Sequence, residues 1–152
     1  MLKEIKDLLG INKPKNIFHP FFGKLNLAKN ESHNQWFWNG VVTFEGQSIA
    51  LRIYSGKEEP SEKYVNFFTN TMKNLDWLIK ESSPFVKHSF EIWTNKAYFE
   101  YFLDEFKCVS LDIPVECNAE NNWQITFARR SDEDFVFTIY VVNNKVESTD
   151  LD

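Results

Sequence analysis

Histidine, cysteine and carboxylate are the side chains of this chain that could do chemistry. The histidines are His19, His33 and His88. Metal sites draw imidazoles and carboxylates together at short, patterned spacing. These three fall on a turn, a loop and a helix, far apart in sequence, so no metal or catalytic role is expected for them. His19 precedes Pro20 in a tight turn, where its ring is expected to hydrogen-bond backbone. A nucleophile needs a base within reach and a third group to orient it. Cys108 and Cys117 have neither nearby and read as free, structural thiols. The chain has no GxSxG, HExxH or glycine-rich phosphate motif. With five glycines in all, and two spent on turns, a backbone cradle for phosphate is implausible. No catalytic residue, cofactor or metal is therefore expected.

The carboxylates come in clusters: Glu58 with Glu59; Glu100 with Asp104 and Glu105; Asp132, Glu133 and Asp134; and Glu147 with Asp150 and Asp152. Paired carboxylates do acid–base work when burial separates their pKa values. Turns and a chain end do not bury them. Solvated charge is the simplest reading, and an acidic patch facing a partner is the competing one. The run Trp36, Phe37, Trp38 is the other candidate. Side chains alternate along a strand, so Trp36 and Trp38 share one face and Phe37 takes the other. Burial on both sides is one outcome; an exposed aromatic anchor for a partner is the other.

These residues sit in a chain of 152 residues with 15 Phe and 5 Trp. One domain, 1–152, fits that length. At this size a globule buries about 68–70% of its unfolded surface and needs no staple. The net charge is −5. That sign repels phosphate backbones, so nucleic acid is not an expected partner. It favours a basic partner by steering its approach. Lys3, Glu4, Lys6 and Asp7 interrupt the first eleven residues, which lack the apolar core of a signal peptide. No apolar run approaches the ~20 residues that a membrane helix needs. A membrane is not an expected partner, and the expected compartment is the cytoplasm.

Several elements must position these groups. Leu2, Ile5, Leu8 and Leu9 predict a short amphipathic helix over 2–9, followed by a linker over 13–16. Strands are expected over 24–29, 35–44 and 47–54. They form a three-stranded meander with a tight turn at Glu45–Gly46. Ser61 is expected to cap a helix running to Lys80. Ser83–Pro84 is expected to open a second helix, because proline suits the first helical position. A further helical segment over 96–106 is expected to present Phe99, Phe102, Leu103 and Phe106. Strands then return over 107–115, with Val109, Leu111 and Ile113 alternating, and over 122–129. After a charged turn at 131–134 comes the most hydrophobic strand, 135–142, expected at the centre of the sheet. Asn143–Asn144 is expected to turn it back along 145–148. The order β, then helix, then β predicts an α+β fold. Its curved antiparallel sheet of six or seven strands packs against a layer of helices.

Phe21–Phe22–Gly23, Trp38 to Gly40, and Phe44–Glu45–Gly46–Gln47 through Leu51 form a pattern: FFG opening a strand, an aromatic strand with W-x-G, then a hairpin. In this the chain resembles bacterial families of unknown function of the 2262 type and their relatives, loosely over nearly its whole length. One departure is that the closing strand, at Phe137–Thr138–Ile139, lacks the Gly-His pair those families often carry. The resemblance implies a small, standalone, cytoplasmic domain, and several similar families look like immunity proteins of contact-dependent or polymorphic toxin systems. It thus implies a non-enzymatic protein that occludes the active site of a cognate toxin. A basic, nuclease-like toxin would meet Asp132, Glu133, Asp134, Glu58 and Glu59, with Trp36 and Trp38 as anchors. Two alternatives stand beside it. A homo-oligomeric structural or sensor protein predicts an apolar two-fold patch. An enzyme with a carboxylate site predicts a concave pocket with buried acids.

Overall fold

The computed structural model describes residues 15–152. The helix expected over 2–9 and the start of the linker lie outside the described residues. Eight strands form one sheet whose spatial order follows the sequence: β1 (Asn16–His19), β2 (Gly23–Asn30), β3 (Gln35–Phe44), β4 (Gln47–Ile53), β5 (Phe106–Ile113), β6 (Trp123–Arg129), β7 (Asp132–Val142) and β8 (Lys145–Leu151). Three helices, α1 (Glu62–Lys73), α2 (Leu75–Thr94) and α3 (Tyr98–Glu105), connect β4 to β5. The fold is α+β. Every neighbouring pair is antiparallel except β4 and β5, which run parallel. A parallel pair needs a long crossover, and the helices supply it.

The strand count is eight rather than six or seven. The missed strand is β1, placed in the expected linker and turn. With four residues at the sheet edge, it buries no continuous face and leaves no alternating pattern. The strand 135–142 is not central. It lies one place from the β8 edge, and the centre is the β4–β5 seam. Its hydrophobicity reflects Phe137, Ile139 and Val141 packing against helices. The turn expected at 131–134 is shorter, and Asp132, Glu133 and Asp134 belong to β7.

The helical expectations change in two places. The break falls at Asn74, whose backbone N–H is shared between the carbonyls of Asn70 and Thr71. Pro84 then lies inside α2 instead of opening a helix. A proline in a helix leaves the carbonyl four residues back unpaired. Here that residue is Lys80, on an exposed stretch where water can pair with it. Burial of Leu78, Ile79, Val86 and Phe90 on the other side holds the helix through the proline. In α3, Phe99 points outward and Tyr98 takes the buried place beside Phe102.

A bulge shifts β5 out of simple alternation. Its register against β6 skips between Cys108 and Ser110, so Phe106 and Cys108 face the core before the skip, and Leu111 and Ile113 after it. Val109 is not on the core face, as strict alternation predicted. The two tight turns behave as expected. Glu45 and Gly46 have φ of 48° and 78°, and Asn143 and Asn144 have 51° and 60°, the left-handed pair that a two-residue hairpin requires. Gly40 is needed for another reason. A Cβ there would stand 2.7 Å from the Lys24 carbonyl oxygen, inside the β2–β3 ladder.

One sheet face carries Leu25, Trp38, Ile49, Leu51, Ile53, Leu111, Ile113, Ile125, Phe127, Phe137 and Ile139, all packed with α1, α2 and α3 in a single core. The alternate residues, Asn39, Arg52, Asp112, Gln124, Thr126, Thr138 and Tyr140, occupy the opposite face. α1, α2 and α3 all pack on the other side.

Candidate functional site

Parallel pairing of β4 with β5 sets Arg52 beside Asp112 in register. Both stand on the open face, between core residues: Leu51 and Ile53 flank Arg52, and Leu111 and Ile113 flank Asp112. The Arg52 Nε–H donates to Asp112 Oδ1 at 2.9 Å. Asp112 is only 7% exposed, whereas the Arg52 side chain is 43% exposed. Burial raises the Asp112 carboxyl above its ordinary value of 3.8, and the adjacent Arg52 works against that shift. The Tyr54 phenol is raised too, by burial first and then by the charge of Asp112.

Asp112 opens into a cavity of about 670 Å³. Gln35 and Tyr54 line it from the first half of the chain, and Asn122, Gln124, Tyr140, Glu147 and Ser148 from the second. Pro114 and Val115 form its apolar wall, next to Trp123, whose buried Nε1–H has no partner among the described residues. Phe37 braces Tyr54 from β3, with ring centroids 5.6 Å apart. A neighbouring depression on the same face is lined by Lys24, Asn26, Asn39, Arg52 and Ser110. The two differ in charge. The first is lined by carboxylates and no cation, the second by Lys24 and Arg52 and no carboxylate. The site is concave and holds one buried acid, Asp112, while its second carboxylate, Glu147, is exposed.

Asp112 gives the site a pH signature. The folded state holds its proton to a higher pH than the unfolded chain does, so its contribution to stability is full below about pH 3.8. That contribution is lost as pH rises through the raised value. Asp112→Asn removes the titration. The stability of the variant relative to the parent is expected to increase as pH rises above the ordinary carboxylate value. Urea unfolding of both proteins between acid and neutral pH measures this, and a difference that stays flat or falls would refute it.

The residues expected at a partner surface are not brought together. Glu58 and Glu59 follow the C-terminal end of β4, while Asp132, Glu133 and Asp134 begin β7 where β6 ends, at the opposite end of the strands. At the β7 corner, Glu133 pairs with Lys107, and this holds its carboxyl below the usual range. Asp132 and Asp134 are exposed and have no ion-pair partner among the described residues. Asp150 pairs in register with Thr138, and Asp152 exchanges backbone hydrogen bonds with Val136, which adds two carboxylates to the same region. Glu59 lies 3.9 Å from Lys15.

Trp36 and Trp38 do share a face, and it is the helix-covered one. Trp38 is 0% exposed, and its Nε1–H donates to the Glu58 carbonyl at 2.7 Å. Its ring is a core group and offers nothing to a partner. Trp36 is half-buried near the sheet end, with the ammonium groups of Lys29 and Lys57 at 5.8 and 4.7 Å from its ring.

His19 hydrogen-bonds backbone, as expected. Its Nδ1 accepts from the N–H groups of Phe21 and Phe22, and Nε2 faces the Pro60 carbonyl at 3.1 Å. An Nδ1 that accepts twice belongs to the neutral ring with its proton on Nε2. This ties the β1–β2 turn to the segment leading into α1. His33 and His88 are exposed. Among the described residues, no group of three His, Cys, Asp or Glu side chains could hold a metal ion. Both cysteines are free, and burial pushes their thiols up, Cys108 to about 12 and Cys117 to about 11. Thiols held in the protonated form are poor nucleophiles. No helix among the described residues is long and apolar enough to cross a membrane.

Sequence reasoning missed Arg52, Tyr54 and Asp112. The signal was a charge inserted between two large aliphatic residues, Leu51–Arg52–Ile53 and Leu111–Asp112–Ile113, with opposite signs in two strands. Comparison with family models, with curated proteins and with solved structures finds no match.

Proposed function

We propose that this chain is a non-enzymatic binding protein of the bacterial cytoplasm, an immunity protein that neutralises a cognate toxin by occluding its active site. The observation that carries this reading is the acidic corner. Asp132 and Asp134 stand exposed on β7, with Asp150 on the adjoining edge strand and Asp152 just past its end. These carboxylates outnumber the cations beside them, Lys107, Arg129 and Arg130, and an excess of negative charge on a rigid corner steers a basic cleft toward it and raises the association rate. A buried, aromatic-rich core keeps that corner in a fixed shape, which limits the ordering cost of binding. The motif resemblance points the same way.

The test is co-expression with toxin domains encoded beside this chain's gene. Neutralisation by the parent chain is expected. The double reversal Asp132→Lys with Asp134→Lys is expected to slow association by about tenfold or more at low salt, with the loss shrinking as salt rises. Unchanged association kinetics would remove the corner from the interface. Failure to neutralise any of those toxins would count against the reading as a whole.

A second reading, a homo-oligomer, is favoured by the exposed Trp77, Phe85 and Ile92 along α2. Size-exclusion measurements over a range of concentrations separate it from a monomeric inhibitor.

A further inference from the structure

Asp112 is a buried charge with spare capacity. A carboxylate offers about four acceptor positions, and the one hydrogen bond it receives from a described residue is that from Arg52 at 2.9 Å. Buried charge is costly unless it is paired and hydrogen-bonded. The cavity it faces holds a second carboxylate, Glu147, and two phenol rings, Tyr54 and Tyr140. Gln35 and Gln124 add amide carbonyls, and no Lys, Arg or His lines it. At about 670 Å³ the space suits a small molecule or an inserted side chain. An anion would meet two carboxylates there. A neutral polyol could supply donors to Asp112, whose charge Arg52 already balances, but would leave Glu147 without a counter-charge. A cation supplies both donors and charge, and aromatic rings attract it further.

We propose that the cavity over the β4–β5 seam binds a small organic cation, an alkylammonium or guanidinium group whose N–H donors are taken by Asp112 and Glu147. A free metabolite and a basic side chain on another protein's loop share this chemistry. The inference is independent of toxin neutralisation and of the acidic corner.

The test is an NMR titration of the full chain, with agmatine for a free cation and acetyl-Gly-Arg-Gly-amide for a side chain. Glucose is the neutral control. Saturable shifts are expected at the backbone amides of Tyr54, Asp112, Gln124 and Tyr140 with one or both cations. Agmatine alone would identify a free ligand, and the peptide would identify a side chain. Asp112→Asn is expected to weaken binding by about tenfold or more, and Glu147→Gln by a smaller factor. Glu147 lies on an exposed edge strand, so its variant keeps the test sound if Asp112→Asn folds poorly. The proposal fails if neither cation shifts these residues. It also fails if glucose shifts them equally, or if the variants that fold bind as tightly as the parent.

Discussion

Phe102→Ala is expected to cost about 3–5 kcal/mol of stability, lowering the melting temperature by about 10 °C or more for a chain of this size. Phe102 is the hub of the aromatic core. Its ring stacks on Phe106 at 4.8 Å and meets Phe127 and Phe137 edge-on at 5.1 and 5.3 Å. Tyr98 and Phe90 complete the surround, at 5.3 and 5.8 Å. One side chain on α3 thus links α2 to β5, β6 and β7. Truncation leaves a cavity walled by large rings that cannot collapse into it, and it forfeits several edge-to-face pairs worth about 0.5–1.5 kcal/mol each. Urea unfolding followed by fluorescence measures the loss. A cost below about 1 kcal/mol would mean that the ring cluster is not what holds the helices to the sheet.

The second large effect separates two roles for one residue. Trp38→Ala is expected to cost about 3–5 kcal/mol of stability, because the indole is fully buried. It also deletes the hydrogen bond to the Glu58 carbonyl, which anchors the segment between β4 and α1. If Trp38 were a partner anchor, its removal would spare the fold and weaken association. Thermal unfolding of the isolated chain decides between these. An unchanged transition would put the indole at the surface, against its placement here.

Much of the architecture could be read from residue pattern, because alternation and turn chemistry act locally. The strands around Ile49–Leu51–Ile53 and Trp123–Ile125–Phe127, and the turns at Glu45–Gly46 and Asn143–Asn144, follow from nearest neighbours alone. Where the reading erred, distant packing had overridden a local rule. Pro84 is tolerated because the buried side of α2 outweighs one unpaired carbonyl facing water. Val109 leaves the core face because a bulge is invisible to period-two counting. The site itself was the least readable part. Arg52 and Asp112 lie 60 positions apart and meet through a parallel ladder that no adjacent turn announces. The carboxylates that clusters had drawn attention to divide between opposite ends of the strands.

Six of the seven ladders are antiparallel and join strands that follow each other closely in the chain, and these can zip up as hairpins. The β4–β5 ladder alone must wait for the helical crossover, so it bears the entropy of closing a long loop and is expected to assemble slowly. The sheet is in this sense two four-stranded halves joined through one parallel ladder, with the shared helical core packed across both. The cavity takes Gln35 and Tyr54 from one half and Asp112, Gln124 and Tyr140 from the other. Whatever occupies it grips both sides of that ladder, so its binding adds to what the shared core already does to keep the two halves together.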